Sequence, residues 1–158
     1  MNRYDRDVSP GRPRSIAALV VAVRDLDAAV ESYRKLGFGV RSRSPREQWG
    51  VESVELLVDN LVFELIAPTD DTKPVGAKVQ KFLDERGEGL YMASFRVDDI
   101  RAEYEQLSAE GVKVGEPTVV PPDAGVDAEL LWPSPRATHG AFLELVEFGE
   151  RLPEALQT

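Results

Sequence analysis

Two stretches of this chain, VFELI at 62–66 and FLELV at 142–146, each set one glutamate inside an otherwise apolar strand pattern. Strand side chains alternate. With Phe63 and Leu65 on a packed face, Glu64 falls on the opposite face beside Val62 and Ile66. With Leu143 and Leu145 packed, Glu144 shares its face with Phe142 and Val146. Two carboxylates at matching places can act as metal ligands, as an acid/base pair, or as partners of an arginine. The plainer alternative is that both strands are half exposed and the glutamates meet water, because charged residues are rarely buried unpaired.

The same alternation in 91–97 packs Ala93, Phe95 and Val97 and turns Met92, Ser94 and Arg96 toward the glutamate face. Arg96 there would bind a substrate carboxylate bidentately or neutralise one glutamate. Met92 is the kind of residue that fills cores. His139, the single histidine, lies in the loop 136–140 before the last strand. It changes charge near neutral pH and so could serve as a general acid or base, whereas most lone loop histidines are simply solvated. Trp49 and Trp132 suit either the core or the wall of a site for a larger, aromatic ligand. Arg41, Arg43 and Arg46 form a local basic cluster. It would suit a phosphate, although a solvated edge strand explains it more plainly. Gly87-Glu88-Gly89 leads into a strand and not a helix, so it is a turn and not a phosphate loop.

A repeat supplies the elements that must position these residues. Shifted by 74 positions, Val23 falls on Val97, Asp25 on Asp99, Ala28 on Ala102, Glu31 on Glu105 and Gly37 on Gly111. Each copy reads as a strand ending in Val, an Asp that caps a helix, about three helical turns, and a Gly stop. The expected elements are a strand at 16–23, a helix at 25–36, and strands at 38–43, 51–58 and 61–67. A connector at 68–74 and a short helix at 75–85 follow. The second copy reads as a strand at 91–97, a helix at 99–110, a broken strand over 112–114 and 118–120, and strands at 128–132 and 141–147.

The pattern predicts an α+β fold: two paired βαβββ modules forming a cup-shaped mixed sheet, with helices on the outer face and the free faces lining the cup. Residues 1–14 read as a disordered arm and 15–148 as a single domain. Within it, module one is 15–67, a linker is 68–89 and module two is 90–148. Residues 149–158 read as a polar surface tail.

The chain of 158 residues carries a net charge of −9, which argues against nucleic acid as a main partner. No apolar run approaches a membrane span, and no apolar signal-peptide core opens the chain. The absence of cysteine excludes disulfides and thiolate chemistry and fits a cytoplasmic location.

IAALVVAVRDLDAAVESYRKLGF, FELIAPT, KFLDERGEGLYMASFRVDDI and THGAFLELVE together resemble the vicinal oxygen chelate superfamily. That superfamily includes glyoxalase I, bleomycin-resistance proteins, extradiol dioxygenases and methylmalonyl-CoA epimerase, and the epimerase branch is the one the chain resembles most. The resemblance covers 15–148. It implies a homodimer with a divalent metal in the cup, held by a His in the first strand of each module and a Glu or Gln in the last. Here the last-strand positions are Glu64 and Glu144, and the positions of the two histidines hold Ala18 and Met92. Neither suits Mg, Mn or Co, so no metal and no cofactor are expected. The epimerase pattern also has a Gln-Gly-Val-type turn with a catalytic Glu close by. The matching stretch is Glu47-Gln48-Trp49-Gly50-Val51-Glu52, with Trp49 inserted, which leaves Glu47 and Glu52 both as candidates.

The expected function is a metal-independent enzyme of this superfamily, doing proton-transfer chemistry of epimerase, isomerase, cyclase or lyase type. Its substrate would be a small carboxylate, acyl thioester or natural-product intermediate. Glu64, Glu144, Arg96 and His139 are the catalytic candidates. Gln48, Trp49, Met92, Ser94, Trp132 and Phe142 are the substrate-binding ones. The alternative is a non-catalytic protein that sequesters a small molecule, as bleomycin-resistance proteins do.

Overall fold

The computed structural model describes residues 15–157. The expected arm, 1–14, lies outside them. The protein is α+β, and it divides into two compact units. The first holds 17–93 and the tail 153–157. The second holds 94–152, with Ser15 and Ile16.

The first unit contains β1 (Ser15–Ala22) from Ala17 onward, α1 (Leu26–Lys35), β2 (Val40–Arg46), β3 (Val51–Leu56), β4 (Val62–Pro68) and α2 (Pro74–Arg86). Its strands run in the order β2-β3-β4-β1. β1 is parallel to β4, and the other pairs are antiparallel. The Asp25 carboxylate accepts from the Ala28 N–H at 3.0 Å and starts α1. Val23, Leu26 and Val30 then pack on Val54, Leu56, Leu65 and Ala67. Tyr33, Phe38 and Phe63 close this core edge to face, with centroids 5.6 to 5.7 Å apart.

The other face of this sheet departs from expectation. Strand alternation predicts a free face, yet Val20, Ala22, Val51 and Ile66 pack against Val79 and Leu83 of α2. The helix placed in the linker is thus a core element. Strand alternation shows that a face is apolar but not which later segment covers it. Seating α2 this closely requires Gly76. A Cβ there would meet the Asp70 carbonyl oxygen at 2.1 Å and the Gly50 carbonyl oxygen at 2.5 Å.

The second unit receives the end of β5 (Gly89–Arg96), then α3 (Ile100–Ala109), β6 (Thr118–Val119), β7 (Ala128–Leu131) and β8 (Leu143–Phe148). Its order is β5-β8-β7-β6. Asp99 caps α3 through the Ala102 N–H at 2.9 Å, as the repeat predicts. Val97, Ile100, Leu131 and Leu145 form its core. The broken strand shrinks to two residues, and Val114 keeps only an isolated bridge to Pro133.

One hydrogen bond recurs in both units. The Val23 N–H donates to the Ile66 carbonyl at 2.9 Å, and the Val97 N–H donates to the Val146 carbonyl at 2.9 Å. Glu64 and Glu144 each lie two residues before the accepting carbonyl. The two glutamates therefore occupy the same register in their units.

The tail is not wholly superficial. Ala155 is buried, and its carbonyl accepts from the Asn60 N–H at 3.1 Å.

Candidate functional site

In the first unit the strand register brings the charged residues together. Glu55 stands opposite Glu64, and Glu64 opposite Val20. Two like charges in directly opposed positions repel unless cations flank them, and here two arginines do. Arg46 Nη2 donates to Glu64 Oε2 at 3.1 Å. Arg41 Nε lies 3.2 Å from Glu55 Oε1, and its Nη1 reaches Glu154 at 2.9 Å. Burial pushes the Glu64 carboxyl above its usual range, and Arg46 draws it part of the way back. Burial pushes Glu55 up as well, against the pull of Arg41. The Arg46 guanidinium also lies over Trp49, 5.5 Å from the ring centroid.

Arg43 faces the other way. It pairs with Asp27 at 2.6 Å and with Glu52 at 2.7 Å, which holds Glu52 below the usual carboxylate range. Sequence reasoning takes Arg41, Arg43 and Arg46 as one edge cluster and misses Glu55 and the pairing of Arg46 with Glu64. The signal was the register across β2, β3 and β4, in which Arg46 pairs with Val51 and Glu55 with Glu64.

Of the two glutamates considered near β3, Glu47 lines a cleft and Glu52 is tied to Arg43. Glu47 and Gln48 line a cleft of about 530 Å³ with Thr69, Asp70 and Lys73. The turn carrying them, 47–49, ends at Gly50 with φ +71°. The Gly50 carbonyl accepts from the Thr69 N–H at 2.8 Å and the Asp70 N–H at 3.1 Å, which fixes the turn to the approach of α2. Met92 is half-buried against the core beneath α2, and Ala18 pairs with Val62.

In the second unit, Glu144 is gripped by two donors. Ser94 Oγ donates to Glu144 Oε1 at 2.9 Å, and Trp132 Nε1 donates to Oε2 at 2.9 Å. Ser94 is buried, with 1% of its surface exposed. The pairing of Leu131 with Leu145 sets Trp132 level with Glu144. Phe142 is half-buried, just before β8.

Two expected participants stand apart. Arg96 is exposed, and its guanidinium lies 5.9 Å from the Phe148 ring centroid. The described partner of Glu64 is Arg46. His139 is exposed in its loop at φ +55°.

The residues present do not fit the divalent metal of the wider superfamily. Glu64 is already paired with a guanidinium, and both Glu144 oxygens accept from protein donors. Ala18 and Met92 offer neither imidazole nor carboxylate. Among the described residues no group of three or more His, Cys, Asp or Glu side chains converges as a metal site.

Residues 19–157 match the family model of the glyoxalase-like domain. The mitochondrial methylmalonyl-CoA epimerase of Dictyostelium discoideum is 27% identical over 133 residues, covering 82% of this chain and 75% of that protein. Methylmalonyl-CoA epimerase from Mycobacterium tuberculosis superposes with a TM-score of 0.72 at 26% identity, over 94% of this chain and 95% of that one. A variant of the Streptomyces coelicolor methylmalonyl-CoA epimerase, solved in complex with 2-nitronate-propionyl-CoA, superposes with a TM-score of 0.73 at 27% identity. It covers 90% of this chain and 99% of that one. With the repeated βαβββ order and the paired strand glutamates, these matches place the chain in the glyoxalase-like domain family, the vicinal oxygen chelate fold, with methylmalonyl-CoA epimerases among its relatives.

Proposed function

We propose that this protein catalyses proton transfer at the carbon next to the thioester carbonyl of a small acyl-CoA, without a bound metal. The observation that carries this reading is Glu144, a strand carboxylate held at both oxygens by Ser94 and Trp132. Donors aimed at a carboxylate fix its orientation, which a general base needs. The epimerase relatives support the acyl-CoA class. Burial raises the Glu64 carboxyl above its usual range while Arg46 draws it back, which suits Glu64 to holding that arginine.

The test is exchange of solvent deuterium into methylmalonyl-CoA, with and without EDTA. Exchange should survive the chelator. It should fall by about a hundredfold or more in Glu144→Gln, the usual weight of a positioned general base. Loss of exchange on chelation would sink the metal-free mechanism. A thermal shift with methylmalonyl-CoA but no exchange in the wild-type protein would favour sequestration over catalysis.

A further inference from the structure

A carboxylated substrate needs a cation, and the arginines differ in how fully the fold has committed them. Arg41 is almost enclosed, with 11% of its side chain exposed, and serves Glu55, Glu154 and the Val58 carbonyl. Arg43 is divided between Asp27 and Glu52 on the α1 side of the sheet. Arg96, the sequence-based choice, is exposed and lies over Phe148. Arg46 is intermediate, with 35% of its side chain exposed against 10% for Glu64. Its described partners are Glu64, which takes one terminal nitrogen, and Trp49, whose ring centroid lies 5.5 Å from the guanidinium carbon. Glu64 holds it from within and Trp49 flanks it. A guanidinium fixed in this way offers its remaining edge as a preorganised fork for a carboxylate.

We propose that Arg46 is the substrate-anchoring residue, taking a free carboxylate of the acyl group, with Glu64 and Trp49 as its positioning residues. The inference rests on the acyl-CoA reading above. It also accounts for the misfit with a metal. The positive charge beside Glu64 is supplied by the chain itself, so a divalent cation there would have to displace a guanidinium already in place.

Binding to two thioesters tests this. Methylmalonyl-CoA carries the extra carboxylate, and propionyl-CoA is the same thioester without it. Calorimetric titration of the wild-type protein should show a preference of roughly tenfold or more for methylmalonyl-CoA, the scale of a charge-assisted hydrogen-bonded pair. In Arg46→Gln that preference should fall to about one, with propionyl-CoA affinity within about twofold of wild type. Arg46→Lys should keep part of it, since lysine supplies charge without the fork.

Removing Arg46 alone strands a buried carboxylate, so the double variant Arg46→Gln/Glu64→Gln is the control for folding. A preference that survives in the double variant overturns the role of Arg46. So does equal binding of both thioesters by the wild-type protein, and that result leaves the acyl-CoA reading standing. Binding of neither thioester by the wild-type protein overturns both.

Discussion

Trp132 lies one residue beyond the Leu131–Leu145 pair and gives its indole N–H to Glu144 at 2.9 Å. The matching glutamate of the first unit is held differently, by the Arg46 guanidinium at 3.1 Å. One register position thus meets different described partners, a serine and an indole in one unit and a guanidinium in the other.

Trp132→Phe keeps the ring and deletes the donor. Turnover of methylmalonyl-CoA should fall about tenfold, the scale of one charge-assisted bond. Ser94→Ala should act in the same direction. Unchanged rates in both variants would show that these donors do not position Glu144.

Gly76→Ala reverses the usual rule for helices. In an exposed helix the change stabilises by about 1 kcal/mol. Here the added Cβ would meet the carbonyl oxygens of Asp70 at 2.1 Å and Gly50 at 2.5 Å, both of them backbone. The expected net effect is a loss of about 1–3 kcal/mol, the range for overpacking. Urea denaturation measures it, and a stabilised variant would show that α2 is not seated this tightly.

Stability should depend on pH through Glu64. Its folded-state carboxyl is raised by burial, so the native state holds this proton more tightly than the unfolded chain. That contribution is complete below the unfolded value, near the ordinary 4.5 of a glutamate, and is lost as pH rises through the folded value. Glu55 contributes with the same sign. Glu64→Gln should flatten, but not abolish, the decline of the urea midpoint above pH 4.5. An unchanged slope would mean that Glu64 does not titrate there.

Asp127 should act with the opposite sign. Arg151 donates to it from its side chain at 2.8 Å and from its backbone N–H at 3.1 Å, which holds the carboxyl below the usual aspartate range. Its stabilising effect is present above the ordinary value of 3.8 and fades as pH falls through the lowered one. The pair is solvent-exposed, so the effect is small. Thermal melts of Asp127→Asn between about pH 2.5 and 5 should show a weaker acid-side decline than wild type, and an identical curve would exclude the effect.

Local chemistry made much of this legible in advance. The Asp25 and Asp99 caps, the glycine stops and the two apolar strand patterns interrupted by Glu64 and Glu144 depend on neighbours a few residues away. Alternation turned Ser94 toward the glutamate face, and its hydroxyl meets Glu144. Such features survive in a linear reading because helix capping and strand alternation are short-range rules.

The tertiary structure decided the partners. Arg96 and Arg46 are equally plausible as text, but only Arg46 lies beside Glu64, because the β2–β3–β4 register carries it there. The cover that α2 lays over Val20, Ala22 and Ile66, the separation of Arg43 from Arg46, and the exposed position of His139 were settled in the same way. The physical reason is that a charge has no preferred partner in sequence. Its partner is whichever opposite charge the sheet register and helix packing bring within a few ångströms, and only there does the Coulomb energy outweigh the cost of leaving water.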